Sequence, residues 1–352
     1  MNLDDFAQFA QLDPQDMLGE IDNLPTQLEK AWVLGQVQPL PETEVIRRVV
    51  VAGMGGSAIG ADLVCAYLEA CCPVPVSVHR DYGLPAFADG PETLVIASSH
   101  SGDTEETLEA FDAGRQAGCT LLAISTGGSL ARRATEAGVP VWRFEHSGQP
   151  RAAVGYSFGL LLAAFTRLGL APDPSLELEA ALASMRAQQA HLHAQVPVAG
   201  NPAKRMAGQV VGRWVNVYGA GILAPVARRW KCQVNEVAKA GAGFELLPEA
   251  DHNALAALVN PQETLSRTVT LFLRSDSDHP RNRLRTELTR QGFLLEGLNT
   301  DVFQAQGDMP LAHIWTALHF GDYMAYYLAM AYGVDPTPVE ALQSFKAAMK
   351  QA

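Results

Sequence analysis

Two segments of this chain set glycines and hydroxyls where an anion can be held. In Val49-Val50-Val51-Ala52-Gly53-Met54-Gly55-Gly56-Ser57-Ala58-Ile59-Gly60 an apolar run enters three glycines and then a helix start. Glycine lets the backbone approach an anion closely, and the first turn of a helix offers unpaired N–H groups with a favourable dipole. The spacing is not the G-x-G-x-x-G of a dinucleotide site, and no lysine follows the glycines as a P-loop requires. The second segment is Ile96-Ala97-Ser98-Ser99-His100-Ser101-Gly102-Asp103-Thr104-Glu105-Glu106-Thr107. It too follows an apolar run and opens a helix. A helix N-cap explains one hydroxyl there; it does not explain Ser99, Ser101 and Thr104 together. In a parallel sheet both loops lie at the carboxyl ends of strands, on the rim where ligands bind. Gly56, Ser57, Ser99, Ser101 and Thr104 are therefore expected to cradle a phosphate.

Other ionisable residues read less sharply on their own. Arg151 opens an apolar helix, where the dipole disfavours a cation, so a functional role is expected. Taken alone, Glu236 reads as a solvent-facing helix residue, His252 as a loop histidine bonded to Asp251, and Lys346 as a solvated lysine on a terminal helix. His191 and His193 stand two apart and cannot face one metal from a helix. His313 and His319 read as packing residues and Arg228-Arg229 as surface charge.

The elements that must position these residues alternate in type. Apolar runs at Ile46–Gly53, Val74–His79, Thr93–Ser98, Thr120–Ser125 and Val139–Arg143 are separated by helical stretches, ending in a helix over Arg151–Leu168. Continuous apolar strands between helices indicate a parallel sheet covered on both faces. A second alternation has strands at Trp214–Tyr218, Phe244–Leu247 and Thr268–Leu273, helices at Ala220–Ala238 and Asn282–Gln291, and long helices at Pro310–Tyr332 and Pro338–Met349. Two such units with similar strand–glycine–helix entries suggest an internal duplication. The expected organisation is a helical segment over 1–45, a first α/β domain over 46–170, connector helices over 171–205, a second α/β domain over 206–305 and C-terminal helices over 306–352.

At 352 residues the chain suits about two domains, and its 48% apolar and 18% charged content is ordinary for a globular protein. A net charge of −12 argues against nucleic acid as a partner and leaves anion binding to local donors. The most apolar stretch, Ala152–Phe165, has 14 residues, too few to span a bilayer. The acidic N-terminus lacks the basic start of an export signal, and the five cysteines include no pair with zinc-ligand spacing. A cytoplasmic protein with reduced, mostly buried thiols is expected.

The segments GMGGSAIGADL, SHSGDTEETL, ISTGGSLA and PRAAVGY resemble the first half of sugar isomerase (SIS) domain proteins. With KCQVNEVAK, LLPEADHNAL and GVDPTPVEALQSFK, the chain is similar to the two-domain phosphoglucose/phosphomannose isomerases from about residue 45 onward. That resemblance implies two doubly wound, flavodoxin-like parallel-sheet domains with flanking helices, and no cofactor or metal. It implies a hexose 6-phosphate substrate, isomerised between aldose and ketose through an enediol(ate). Ser57, Ser99, Ser101 and Thr104 match the phosphate-binding hydroxyls. Glu236 matches the proton-shuttling base, His252 a ring-opening histidine reaching in from the partner of a homodimer, Arg151 the cation beside the enediolate, and Lys346 a ring-opening lysine. The departures are Val237, Asp251 and Ala254; an aspartate beside His252 is expected to raise that histidine's pKa. A non-catalytic phosphosugar sensor is the alternative reading, but the first 45 residues hold no basic recognition helix.

Overall fold

The computed structural model describes residues 2–349 and 351. The chain forms two compact units, one over residues 23–182 and the other from residue 183 onward together with the first 22 residues.

The 23–182 unit is built on five parallel strands, β1 (Arg48–Ala52), β2 (Val76–His79), β3 (Thr93–Ser98), β4 (Thr120–Ser125) and β5 (Val141–Arg143), in the order β2-β1-β3-β4-β5. The central strands are buried along nearly their whole length, which is why they read as unbroken apolar runs. Val50, Val95, Ala97 and Ala123 pack with Phe111 and Leu130 on one face. The helix expected over Arg151–Leu168 starts later. A 3-10 turn occupies Pro150–Ala152, and the α-helix runs over Val154–Arg167. The helix Leu24–Gly35 packs on it closely enough that a Cβ on Gly159 would meet that of Ala31 at 2.7 Å.

The other unit repeats the plan with β6 (Trp214–Ala220), β7 (Ala242–Leu247), β8 (Thr268–Arg274) and β9 (Asn299–Gln304), in the order β7-β6-β8-β9 and all parallel. The shared strand order and the glycines at positive φ after β1 and β6 (Gly55, +52°; Gly221, +48°) carry the duplication that residue identity shows only faintly. Strand β9 is absent from the sequence expectation because its residues, NTDVFQ, are polar and sit on a sheet edge with only Val302 and Phe303 apolar. The helix Pro310–Tyr332 is buried through most of its length. Trp230, in the helix Ala224–Glu236, stacks on Phe320 and donates to the Ala317 carbonyl at 2.8 Å; Gly321 leaves space for its ring.

Arg229 corrects a sequence expectation. It is 2% exposed rather than surface charge, and its guanidinium grips Asp322 in a two-point pair, Nε–Oδ1 3.1 Å and Nη2–Oδ2 2.8 Å. The cysteines also differ: Cys71 is exposed and the other four are half-buried. Partial burial nonetheless raises Cys65 to about 12 and lifts Cys71, Cys119 and Cys232, so these thiols stay protonated. Among the described residues, no helix is long and apolar enough to cross a membrane.

Candidate active site

The first loop follows β1 at the carboxyl edge of the five-stranded sheet. Gly53 lies against the Ser98 carbonyl, Gly55 takes φ +52°, and the helix Gly55–Leu68 begins at once. Ser57, one turn in, is buried. Gly56 faces the turn that carries Arg151: a Cβ there would stand 2.5 Å from the Pro150 carbonyl oxygen and 3.4 Å from the Arg151 Cα.

The second loop, after β3, is held by its own hydroxyls. The Ser99 Oγ accepts from the Gly102 N–H at 3.1 Å and lies 3.0 Å from the Thr104 Oγ1; the Ser101 Oγ accepts from the Asp103 N–H at 3.2 Å. Thr104 occupies the N-cap position of the helix Glu105–Gln116, where its carbonyl accepts from the Leu108 N–H at 3.0 Å but its side chain makes no cap bond, so capping does not account for its hydroxyl. The loop also joins its neighbours. Ser99 N–H donates to the Ile124 carbonyl at 3.0 Å, and the His100 carbonyl accepts from the Thr126 N–H at 3.1 Å and hydroxyl at 2.8 Å. Gly102, at φ +72°, lies so close to Gly127 that a side chain would not fit. Ser101 remains exposed, with Ser99 buried beneath it. Hydroxyls and helix-start N–H groups on one sheet edge suit a tetrahedral anion.

Arg151 is buried, and its Nη1 reaches the Gln149 Oε1 at 3.5 Å. Its turn is braced by Gln27, a residue with no motif to mark it. The Gln27 Nε2 donates to the Ala152 carbonyl at 2.9 Å, and its Oε1 accepts from the Gly155 N–H at 2.8 Å. A second contact invisible in the sequence joins His100 Nε2 to His146 Nδ1 at 2.9 Å, in a ring cluster with Phe144 and Tyr156. The structure thus brings Gly56, Ser57, Ser99, Ser101, Thr104 and Arg151 into the 23–182 unit.

Glu236, His252 and Lys346 belong to the other unit. Glu236 is the last residue of the helix Ala224–Glu236 and is half-buried. The chain turns immediately after it: Lys239 takes φ +55° and its Nζ donates to the Glu236 carbonyl at 2.6 Å, while Asn235 Nδ2 donates to the Ala240 carbonyl at 2.8 Å. His252 ends the 3-10 turn Glu249–His252 and is exposed. The neighbouring aspartate does not serve it. Asp251 receives Arg285 Nη1 at 2.8 Å on one oxygen and the Thr289 hydroxyl at 2.7 Å on the other. That engagement corrects the reading of His252 as a loop histidine bonded to Asp251. Lys346 lies on the exposed helix Glu340–Met349, beside Leu342, Phe345 and Met349.

The family described as the bacterial phospho-glucose isomerase C-terminal SIS domain matches residues 199–349. A bifunctional phosphoglucose/phosphomannose isomerase from Caldicellulosiruptor bescii is 36% identical over 94% of this chain and 98% of its own length. A protein of the same name from Aquifex aeolicus is 32% identical over 86% of this chain and 90% of its own. Among solved structures, tagatose-6-phosphate ketose/aldose isomerase from Escherichia coli superposes with a TM-score of 0.69 at 18% identity, covering 91% of this chain and 94% of that one, and shows the same fold.

Proposed function

The chain belongs to the family of bifunctional phosphoglucose/phosphomannose isomerases, and we propose that it interconverts glucose 6-phosphate or mannose 6-phosphate with fructose 6-phosphate. The observation that carries this reading is the relationship to the C. bescii protein, which covers 94% of this chain and 98% of its own length. A phosphosugar isomerase needs an anchor for the phosphate, and the two hydroxyl loops offer one that requires no cation of its own.

The chemistry is a proton transfer between C1 and C2 of the open-chain sugar. Glu236 removes the proton from C2 of the aldose, leaving a cis-enediolate, and returns it to C1 to give the ketose. A carboxylate suffices because it accepts and returns one proton in a shielded site. Arg151 balances the negative charge that develops on the enediolate oxygens. His252 and Lys346 move protons on the ring oxygen and O1 as the hexose opens. Both lie exposed on their own chain, as residues offered to a second subunit must, and we place them in a site shared across a homodimer. Protonation of C2 on either face yields glucose or mannose 6-phosphate. None of these steps calls for a metal or a redox cofactor, and the cytoplasm, where hexose phosphates are handled, is the proposed compartment.

A coupled assay for fructose 6-phosphate formation from each aldose tests the reading. Glu236→Gln is expected to lower kcat by about two to four orders of magnitude while phosphosugar still binds. Undiminished turnover in that variant would remove Glu236 from the mechanism.

A further inference from the structure

We propose that His146 is a positioning residue: its hydrogen bond to His100 holds the segment that delivers Arg151 in register with the loop that grips the phosphate. The proposal rests on the role given to Arg151 above. The segment leaves β5 at Arg143 and enters its helix at Val154. It is tied at one end by Phe144, stacked on Tyr156 at 4.9 Å, and at the other by Pro150, whose carbonyl lies against Gly56. Between them Glu145 and Ser147 face solvent. Phe144 meets the His100 ring edge-on at 5.8 Å, and His146 adds the hydrogen bond to the second phosphate loop, Nδ1 to His100 Nε2 at 2.9 Å.

His100 is a rigid partner. It stands between Ser99 and Ser101, and its carbonyl is bound by the N–H and hydroxyl of Thr126 at the end of β4. A bond to its ring therefore ties His146 to the same backbone that sets the two serine hydroxyls. Through Pro150 the segment meets the first phosphate loop, and through His146 it meets the second. Arg151 follows Pro150 directly, so the distance from phosphate to guanidinium is fixed from both loops. In a reaction whose charge develops several bonds from the phosphate, that registration governs the transition state more than ground-state grip. Misplacement of a catalytic group by about 1 Å can cost up to a hundredfold in rate.

His146 also touches rings, meeting His100 at 5.1 Å and Tyr156 at 6.0 Å between centroids. Two substitutions separate packing from hydrogen bonding. His146→Phe keeps a ring and loses the bond; His146→Asn loses the ring and sets an amide where Nδ1 stood. With the full-length protein, His146→Phe is expected to lower kcat about tenfold or more. The KM for fructose 6-phosphate and the inhibition constant of inorganic phosphate should stay within about twofold, since the phosphate loops keep their own bonds, and His146→Asn should restore kcat. In an Arg151→Gln background His146→Phe should cost nothing further. Amides of residues 147–153 should exchange faster in His146→Phe and at the wild-type rate in His146→Asn.

Full kcat in His146→Phe, equal damage in both variants, or a rise in KM and the phosphate constant in step with the fall in kcat would each overturn the proposal. A wild-type protein that turns over no hexose phosphate would sink the isomerase reading instead. Amide exchange then still decides whether the His100–His146 bond holds the segment.

Discussion

Gly56 and Pro150 meet backbone to backbone: a methyl group on Gly56 would stand 2.5 Å from the Pro150 carbonyl oxygen. The loop after β1 and the turn carrying Arg151 are thus a single packed object. Gly56 also sits in the first turn of its helix, so alanine changes little in local propensity and acts almost wholly through the clash. Gly56→Ala is expected to destabilise the protein by about 1–3 kcal/mol, the usual cost of overpacking. Its kcat/KM should fall by more than stability alone explains, because relief requires the Arg151 turn to move. Urea denaturation beside steady-state kinetics checks both. Wild-type kinetics in a destabilised variant would show that the turn does not depend on the loop.

Ser99 and Ser101 allow the structural role of the loop's hydroxyls to be told apart from the proposed ligand-binding one. Ser99 is buried and takes the Gly102 N–H, whereas Ser101 is exposed at the loop surface. Ser99→Ala should lower stability by only about 0.5–1.5 kcal/mol, the net worth of a hydrogen bond, because the Gly102 N–H keeps the Ser99 carbonyl as acceptor at 3.2 Å, and should also weaken phosphate binding. Ser101→Ala should leave the denaturation midpoint nearly unchanged and raise the inhibition constant of inorganic phosphate. Calorimetric titration with phosphate distinguishes the two. Equal affinity in Ser101→Ala and wild type would remove that hydroxyl from the cradle.

The serine loops were legible because their chemistry is local: strand, glycine, hydroxyl and helix start follow one another in a dozen residues. The sheet of the 23–182 unit was legible for a similar reason, since strands buried on both faces leave apolar runs. What escaped depends on partners far away in the chain. Gln27 braces the Arg151 turn from more than a hundred positions upstream. Arg229 looked like surface charge because its counter-ion Asp322 is 93 residues on. Asp251 beside His252 suggested a pair, yet Arg285 and Thr289 claim its carboxylate. Strand β9 hid because an edge strand needs few apolar residues.

Arg229 and Asp322 form a buried pair, and removing one partner strands the other charge. Asp322→Ala is expected to cost about 3–5 kcal/mol. Replacing both, as Arg229→Met with Asp322→Leu, should recover most of that loss, because two apolar side chains of similar volume need no desolvation. Thermal or urea unfolding of the three proteins measures the coupling. A double variant as unstable as Asp322→Ala would mean that the pair shapes the core beyond its charges.

Asp278 makes stability depend on pH. It is buried in the loop after β8, its Oδ1 accepts no hydrogen bond, and burial pushes its carboxyl up to about 7 from an ordinary 3.8. The folded protein therefore holds this proton more tightly than the unfolded chain. The resulting stabilisation is complete below pH 3.8 and is lost as pH rises to about 7, at roughly 1.4 kcal/mol per unit. Asp278→Asn should flatten that decline. His319 acts with the opposite sign. Burial holds it below its ordinary 6.5, so stability falls as pH drops through that value, and this limb should survive in Asp278→Asn. Urea midpoints from pH 5 to 8 report both limbs. An unchanged slope in Asp278→Asn would assign the pH dependence to other groups.

Glu236 and His252 offer a test of the shared site that requires no structure of the assembly. If each site takes Glu236 from one subunit and His252 from the other, Glu236→Gln and His252→Ala fail for reasons that a mixed dimer can cure in one of its two sites. Each variant alone should be nearly inactive. Unfolded together and refolded at equal ratio, half of the dimers should be mixed, each with one intact site. A two-fold symmetric dimer then regains about a quarter of wild-type activity. The engagement of Asp251 by Arg285 and Thr289 keeps the His252 turn anchored in both variants, so loss of fold is not the expected cause of inactivity. Activity that stays at the level of the separate variants, with mixed dimers confirmed by mass spectrometry, would place both residues in one subunit's site.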